Sequence, residues 1–271
     1  MTQNNQLSLV IEPAELEPLL GSEGLLIVDL CNPQVYQQLH VPGAIHVHPQ
    51  TTTLGTQPAP GKLPTLRQLE ELFQSIGYTG EEHIVVYDDE GGGWAGRFIW
   101  LLDVIGHRNY SYLNGGLHAW IKEDFPKENK INKPLATNVS LTIDDSVTAT
   151  TDYIINNIGN DHVKIWDARS PSEYTGERVL ARRGGHIPGA VNFEWTNAMS
   201  PENNYRIKEN LLAELISLGL TPEQEIITHC QTHHRSGFTY LVSKFLGFKS
   251  VKAYDGSWSE WGNLLNTPIE S

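Results

Sequence analysis

EIITHCQTHHRSGFTYLV, residues 225–242, contains a short apolar strand pattern, a polar loop and an apolar pattern at helical spacing. A buried strand that leads directly into a helix is typical of α/β folds with a mostly parallel sheet covered by helices. Ligands of such sheets bind beyond the carboxyl ends of the strands. Cys230 directly follows the strand, so we expect it to lie where a ligand would bind.

The chain repeats itself, and this repeat predicts its organisation. HVPGAIHV at 40–47 recurs as HIPGAVNF at 186–193, and LLIVDLCNPQVY at 25–36 recurs as VKIWDARSPSEY at 163–174. Residues 96–120 match residues 237–261 without a gap, at an offset of 141 positions. Repeats of this kind indicate copies of one structural unit. We therefore predict two similar modules at 1–124 and 146–271, joined by a linker at 125–145 whose VSLTI at 139–143 could form a short strand.

Each module alternates strand-like runs with helical patterns, which predicts a mostly parallel sheet flanked by helices. In the second module the predicted strands are VKIWDA, AVNF, EIITH and SVKAY. The predicted helices are 207–219 and 236–247, which stop at Gly219 and Gly247.

Composition and charge exclude several classes of protein. The formal net charge of −13 argues against a nucleic-acid binder, because phosphate backbones attract basic surfaces. No stretch approaches the roughly 18 apolar residues of a membrane span, and the N-terminal sequence lacks the pattern of a secretory signal. Only two cysteines occur, Cys31 and Cys230, which indicates free thiols and a cytoplasmic protein. Because the net negative charge repels small anions at long range, any site for one must be a local cationic pocket.

The polar loop after Cys230 favours a reactive thiol over a buried structural one. A strand–loop–helix turn points backbone N–H groups and the positive end of the helix at the loop's centre. A thiolate held there is stabilised, so its pKa falls below the roughly 8.5 of a free cysteine. We predict that the main chain from Gln231 to Arg235 forms this cradle, that Arg235 contacts an incoming anion, and that Ser236 caps the helix. The predicted substrate-binding residues are Gln231, Thr232, His233, His234, Arg235, Ser236 and Trp195.

Other candidate residues receive structural or open interpretations. Trp195 could line the pocket or be an ordinary core tryptophan. Asp167 and Arg169 are predicted to pair and to hold neighbouring turns. His40 and His186 occur in both copies of H-x-P-G-A, so we interpret them as turn-packing residues. At the offset of 141, the first module places Asp89 opposite Cys230, within a loop that we expect to be of equal length and unsuited to holding an anion.

These motifs together resemble those of tandem-domain rhodaneses, the thiosulfate:cyanide sulfurtransferases. The similarity rests on D-x-R at Asp167 and Arg169, GHIPGAVN at 185–192, the strand–Cys–loop, and YDGSWSEW at 254–261, and it covers essentially the whole chain in two copies. The loop CQTHHRS resembles that of a bacterial subgroup of the family. This resemblance implies an inactive first module and a catalytic second module with Cys230 as nucleophile.

The resemblance also implies a reaction and its partners. Cys230 would take the outer sulfur of thiosulfate as a persulfide and pass it to cyanide or a thiol, without a cofactor or metal. A protein of a sulfur relay is a further candidate partner. The histidine pair, His233 and His234, matches neither the basic loops of thiosulfate-selective members nor the small-residue loops of mercaptopyruvate-using ones. The preferred donor therefore stays open, and the two histidines suggest that it depends on pH.

Three other functions compete with this interpretation. The related cysteine phosphatases carry Cys-x5-Arg, whereas this loop is Cys-x4-Arg and should be smaller. Zinc favours sulfur and imidazole ligands, but a cradle with inward N–H groups would direct the side chains of His229, His233 and His234 away from one another. A sulfur carrier without turnover of its own needs the same persulfide, so the sequence does not separate it from an enzyme.

Overall fold

The computed structural model describes residues 7–271, so part of the N-terminal segment considered for a secretory signal lies outside the described residues. Two parallel sheets organise this part of the chain. The strands are β1 (Val10–Ile11), β2 (Leu25–Asp29), β3 (Ile45–His46), β4 (His83–Tyr87), β5 (Tyr110–Leu113), β6 (Val163–Asp167), β7 (Val191–Asn192), β8 (Met199–Ser200), β9 (Arg206–Ile207), β10 (Glu225–His229) and β11 (Ser250–Ala253).

The helices alternate with the strands in both halves of the described chain. The α-helices are α1 (Pro13–Leu16), α2 (Pro33–Gln38), α3 (Leu66–Ser75), α4 (Gly93–Val104), α5 (Gly116–Lys122), α6 (Thr151–Asn157), α7 (Pro171–Tyr174), α8 (Leu211–Ser217), α9 (Arg235–Phe245) and α10 (Ser257–Trp261). Short 3₁₀ turns lie at Glu17–Leu19, Pro49–Thr52, Asp145–Val147, Trp195–Ala198 and Pro201–Asn203.

The sheets confirm the predicted fold class. The first has the order β1-β5-β4-β2-β3 and the second β11-β10-β6-β7, with every neighbouring pair parallel. Strands β8 and β9 form a separate antiparallel pair. All four strands predicted in the second module are present as β6, β7, β10 and β11. The cysteine-bearing loop follows β10, which lies between two other strands.

Two predicted elements differ from the structure. The helix predicted at 207–219 is confined to Leu211–Ser217, because Arg206 and Ile207 pair as strand β9 and Asn210 adopts a left-handed φ of 59°. The stretch VSLTI at 139–143 forms no strand and lies beside the first module. There the side-chain amide of Gln74 donates to the Val139 carbonyl, and the N–H of Leu141 donates to Glu70.

Apolar clusters cover both faces of both sheets. One cluster runs through α4 and α9 from one module into the other and includes Phe98, Trp100 and Phe238. A second cluster lies on the other face of the first sheet, and a third on the other face of the second sheet. The shared cluster places the start of α9, and hence the loop that contains Cys230, directly against the first module.

Candidate active site

Cys230 lies at the carboxyl end of β10, where the sequence predicts a ligand. The side chain is almost fully buried, with 1% of the residue exposed. The loop 231–234 leads from it into α9, which begins at Arg235. Polar groups adjoin the sulfur, since the charge of Arg235 and the hydroxyl of Ser236 both lower its pKa. The thiol is thus buried among charged and polar groups.

The pKa of the Cys230 thiol lies below its ordinary value. Burial alone would raise this pKa, but the positive charge of Arg235 and the hydroxyl of Ser236 lower it. The backbone N–H groups of Ser236 and Thr232 lower it further. Hydrogen bonds and an adjacent cation both favour the charged form of an ionisable group. The site therefore favours a thiolate.

Arg235 is held beside the sulfur by the carboxylate of Glu173, which is not among the predicted site residues. Its Nη1 and Nη2 donate to the two carboxylate oxygens of Glu173, at 2.7 and 2.9 Å. The ion pair holds the pKa of the buried Glu173 carboxyl at about 2, although burial opposes this. Ser170 and Glu173 form a capping box at the start of α7. The Ser-x-x-Glu pattern in the sequence is typical of a capping box, but no local pattern indicates that Glu173 pairs with Arg235 on α9.

Ser236 lies within α9, so the prediction that it caps this helix is wrong. The N-cap residue is His234, which makes no side-chain capping hydrogen bond. The buried hydroxyl of Ser236 contacts the sulfur of Cys230 and lies 2.8 Å from Nδ1 of His233. The helix therefore presents this hydroxyl to the thiolate.

The two histidines of the loop lie in different surroundings. His233 is fully buried with a left-handed φ of 55°, and its ring packs edge-on against Trp100 of the first module. His234 stacks on Trp94, and its Nε2 lies 3.0 Å from a carboxylate oxygen of Glu90. Both rings thus contact the first module.

The remaining predicted substrate-binding residues surround the loop. Gln231 is half-buried, and its side-chain amide donates to the Leu180 carbonyl. Leu180 lies between the Asp167 and His186 motifs, a segment that is longer than its counterpart in the first module. Thr232 is half-buried and borders a cavity of about 760 Å³ whose other lining residues, including Trp94, belong to the first module. Trp195 is half-buried, with its ring 5.6 Å from that of His234. These three side chains lie at the edge of the loop.

The potential zinc ligands near Cys230 contact separate partners. Nδ1 of His229 lies 3.2 Å from the Cys230 carbonyl, and its Nε2 lies 3.4 Å from a carboxylate oxygen of Asp167. His233 and His234 contact Trp100 and Trp94, as described above. Within residues 7–271, no three His, Cys, Asp or Glu side chains lie close enough together to hold a metal ion.

The first module contains a related loop, but its counterpart of Cys230 is Asp88, and the assignment to Asp89 is wrong. Asp29 pairs with Tyr87, whereas Asp167 pairs with His229, so the next residues are Asp88 and Cys230. The N–H of Leu117 binds the Asp88 carbonyl as that of Trp258 binds the Cys230 carbonyl. Since the later residues match at an offset of 141, the first loop is one residue longer.

This first loop holds an anion, contrary to the prediction. The carboxylate of Asp88 accepts hydrogen bonds from the N–H groups of Glu90, Gly92 and Ala95, at 3.0, 2.8 and 3.0 Å. A strand–loop–helix turn of this type therefore points N–H groups at the residue that follows the strand. In the first module that residue is a carboxylate, and in the second it is the thiol.

The residues interpreted as structural have that role. Arg169 donates to both carboxylate oxygens of Asp167 and to the Gly185 carbonyl, which joins two turns. His40 and His186 stack on Tyr36 and Tyr174, at ring separations of 4.0 and 3.6 Å. Cys31 is fully buried, and burial raises its pKa well above the ordinary value. It is therefore an unreactive core thiol, unlike Cys230.

Comparisons with known proteins agree with this architecture. The family model of the rhodanese-like domain matches residues 12–123 and 150–264. A thiosulfate sulfurtransferase of Azotobacter vinelandii is 55% identical over 97% of each chain, and one of Pseudomonas aeruginosa is 53% identical over 100% of each. A Thermus thermophilus protein named sulfur carrier protein TtuD is 31% identical over 87% of this chain and 86% of its own.

Solved structures share the fold at lower identity. A structure of EanB in complex with ergothioneine matches 100% of this chain and 72% of its own, with a TM-score of 0.88 and 18% identity. At this identity the likeness concerns the fold alone. The two matched domains and the full-length relatives establish the family. The chain belongs to the rhodanese family, with two rhodanese-like domains in tandem.

Proposed function

We propose that this chain is a thiosulfate sulfurtransferase in which Cys230 carries the transferred sulfur as a persulfide. The observation that carries the proposal is the position of a buried thiol at the carboxyl end of β10 and before α9, where Arg235 and Ser236 lower its pKa. The thiolate is the nucleophilic form of cysteine, and a lowered pKa increases its fraction at neutral pH. The names of the full-length relatives support thiosulfate as the donor.

In the first step the Cys230 thiolate attacks the outer sulfur of thiosulfate. A sulfur–sulfur bond forms at Cys230 while the bond within thiosulfate breaks, and its electron pair leaves with sulfite. The terminal persulfide sulfur keeps a negative charge. Arg235 and the N–H groups that favour the thiolate would favour this anion as well.

In the second step a nucleophile attacks the terminal sulfur of the persulfide. Cyanide leaves as thiocyanate, or a thiol leaves as a new persulfide, and the electron pair of the broken bond returns to the Cys230 thiolate. Since the thiolate is the leaving group, a low pKa at Cys230 assists this step too. No net oxidation occurs over the cycle, and neither a metal nor a cofactor takes part.

The proposed substrate contacts come from the loop and its surroundings. Arg235 would contact the anionic donor, and the main chain from Gln231 to His234, together with the hydroxyl of Ser236, would surround the transferred sulfur. Trp195 would border the entrance on the side of His234. Both cysteines are free thiols in the structure, which supports a reducing compartment such as the cytoplasm.

Mass spectrometry after incubation with thiosulfate tests the proposal. We expect one added sulfur, about 32 mass units, on the peptide that contains Cys230, and its removal by cyanide. Cys31→Ser should keep this adduct and Cys230→Ser should lose it. An unmodified Cys230, or sulfur on Cys31, would contradict the proposal.

A sulfur carrier is the second candidate, favoured by the similarity to the Thermus carrier protein. In that case a partner protein would load Cys230, and thiosulfate would serve only as a laboratory donor. Single-turnover loading rates from thiosulfate and from a persulfide-bearing cysteine desulfurase separate the two functions. Loading by the protein donor at least about tenfold faster would favour the carrier, whereas the reverse order would favour the enzyme.

A further inference from the structure

The carbonyl groups of the loop that contains Cys230 are held by two different parts of the molecule. The Cys230 and Gln231 carbonyls accept N–H groups of Trp258 and Ser259, which belong to α10 of the same module. The next two carbonyls, of Thr232 and His233, accept Nη1 of Arg97 at 3.5 and 3.2 Å. Arg97 belongs to α4 of the first module. Half of the loop is therefore fixed from outside its own domain.

These contacts determine where the N–H groups of the loop point. Carbonyl groups bound at the outside of a tight turn leave the N–H groups free to converge on its centre. The N–H of Thr232 already lowers the pKa of the thiol at that centre. Among the described contacts, Arg97 is the only hydrogen-bond donor to the Thr232 and His233 carbonyls.

Arg97 is unusual because it is a buried cation that makes no ion pair within the described residues. Its side chain is fully buried, and the other hydrogen bonds of the guanidinium go to carbonyls as well. Nε and Nη2 donate to Thr52 at 3.0 and 2.8 Å, and Nη2 to Lys62 at 3.4 Å. Within residues 7–271, it forms no ion pair with a carboxylate. A buried cation without an adjacent carboxylate is costly for folding, so its presence calls for a role.

The charge of Arg97 persists at neutral pH. Burial lowers its pKa to about 10, and Asp255 and the Cys230 thiolate partly offset this. The chief causes of the lowered Cys230 pKa are nevertheless Arg235, Ser236 and Thr232. Arg97 thus acts on the sulfur mainly through the backbone that it holds.

Two further contacts bring the same surface of the first module against the loop. A Cβ atom at Gly61 would lie 2.0 Å from the Thr232 carbonyl oxygen, so the backbone of the first module packs directly on this group. Trp100, one turn after Arg97 on α4, lies under its guanidinium and packs against the ring of His233. The first module therefore packs closely against residues Thr232 and His233 of the loop.

We propose that Arg97 of the first domain is a positioning residue for the sulfurtransferase site of the second, holding the Thr232 and His233 carbonyls outward so that the loop's N–H groups face the Cys230 sulfur. The role in turnover rests on the proposed function, whereas the role in shaping the thiolate site does not. The domain without Cys230 thereby contributes directly to the chemistry of the other.

The test measures the acidity of Cys230 by the pH dependence of its alkylation by iodoacetamide, without any sulfur donor. Arg97→Met removes the donors at similar side-chain volume, and Arg97→Lys keeps the charge without the planar fork. We expect Arg97→Met to raise the apparent pKa by about one unit and to lower kcat/KM for thiosulfate by about tenfold or more. Arg97→Lys should lie between this variant and the wild type.

Phe98→Leu is the control for general destabilisation. Phe98 follows Arg97 on α4, but its ring packs on Phe73 in the core of the first module. We expect this variant to lower the melting temperature and to keep the wild-type pKa and kcat/KM. Wild-type values in Arg97→Met, or equal changes in Phe98→Leu, would overturn the proposal.

The test of Arg97 still gives an answer if a variant does not fold or if the wild-type protein forms no persulfide. If Arg97→Met does not fold, Arg97→Lys decides. Different nitrogens of Arg97 bind the Thr52 carbonyl and the Thr232 and His233 carbonyls, and a single ammonium nitrogen cannot occupy both positions. Wild-type values in Arg97→Lys would therefore overturn the proposal. If wild-type protein forms no persulfide with thiosulfate, the proposed function fails while the alkylation measurement still tests the role of Arg97.

Discussion

Arg235 lies between two anionic groups of the site, the Glu173 carboxylate and the Cys230 sulfur. The bidentate pair with Glu173 fixes the position of the guanidinium, and the same guanidinium is the largest favourable influence on the Cys230 thiolate. Planar pairing of this kind restricts an arginine more than a single hydrogen bond does. At the residue scale, the reactivity of the thiol therefore depends on a carboxylate that need not touch the substrate.

Replacement of Arg235 by glutamine should separate acidity from stability. We expect Arg235→Gln to raise the Cys230 pKa in alkylation measurements, because its principal cation is lost. The free energy of unfolding should fall by about 3–5 kcal/mol, because the Glu173 carboxylate stays buried without its cationic partner. The double variant Arg235→Gln/Glu173→Gln should recover much of this stability but not the low pKa. An unchanged Cys230 pKa in Arg235→Gln would contradict this account.

At the scale of elements, the contact between α4 and α9 joins the two domains at two glycines. A Cβ atom at Gly96 would lie 2.3 Å from the Gly237 carbonyl oxygen, and one at Gly237 would lie 2.5 Å from the Arg97 nitrogen. Such close approach of two backbones tolerates no added side chain. It also places Arg97 and the start of α9 side by side, so the same crossing supports the site.

Gly96→Ala tests this crossing through the sign of its effect. Alanine in an exposed helix would stabilise by up to about 1 kcal/mol relative to glycine. Here the added methyl group meets backbone atoms of Gly237 and Phe238, so we expect a loss of about 1–3 kcal/mol instead. Thermal unfolding of the variant measures the difference. A melting temperature at or above that of the wild type would show that the helices can separate without cost.

At the scale of the whole molecule, buried histidines make stability depend on pH. Burial lowers the pKa of His83, His107, His229 and His233 from the ordinary value of 6.5. A histidine with a lowered pKa stays neutral in the folded protein, while in the unfolded chain it takes up a proton below about 6.5. The unfolded state then binds more protons, so stability falls as the pH falls through this value.

We therefore expect the melting temperature to decrease between pH 7.5 and pH 5.5. Lowered carboxyl pKa values, such as that of Glu173 at about 2, affect stability only below their unfolded value of 4.5. Burial raises the pKa of Asp29, Asp89 and Asp255, which opposes the effect of the histidines, so the comparison with a histidine variant isolates their part. Thermal unfolding at constant ionic strength measures the slope, and His233→Gln should reduce it. A flat profile, or an unchanged slope in His233→Gln, would contradict this assignment.

The same lowered pKa bears on the pH dependence suggested for the histidine pair. Burial keeps His233 neutral at pH 7, and its Nδ1 contacts Ser236. It therefore does not titrate near 6.5 in the folded protein. Any pH dependence of donor preference near this value must come from another group.

The sequence by itself determined the repeat, the alternation of strands and helices, and the position of Cys230 at the end of a strand. These features follow from local patterns: apolar periodicity, glycine stops and matched motifs. They were sufficient to predict two parallel-sheet domains and to single out Cys230 as the candidate nucleophile. The pair of Asp167 and Arg169 was equally local, because both residues flank one strand end.

Only the tertiary structure decided what surrounds the sulfur. Glu173 reaches Arg235 across 62 positions of the chain, and Arg97 reaches His233 across 136. The constant offset of 141 positions did not reveal the extra residue of the first loop. The sequence therefore aligned Asp89 with Cys230, whereas strand pairing aligns Asp88 with it. Contacts between distant segments depend on how helices and sheets pack, which no short pattern encodes. The thiol could be found from the sequence, but the charge and the donors that lower its pKa are brought together by packing.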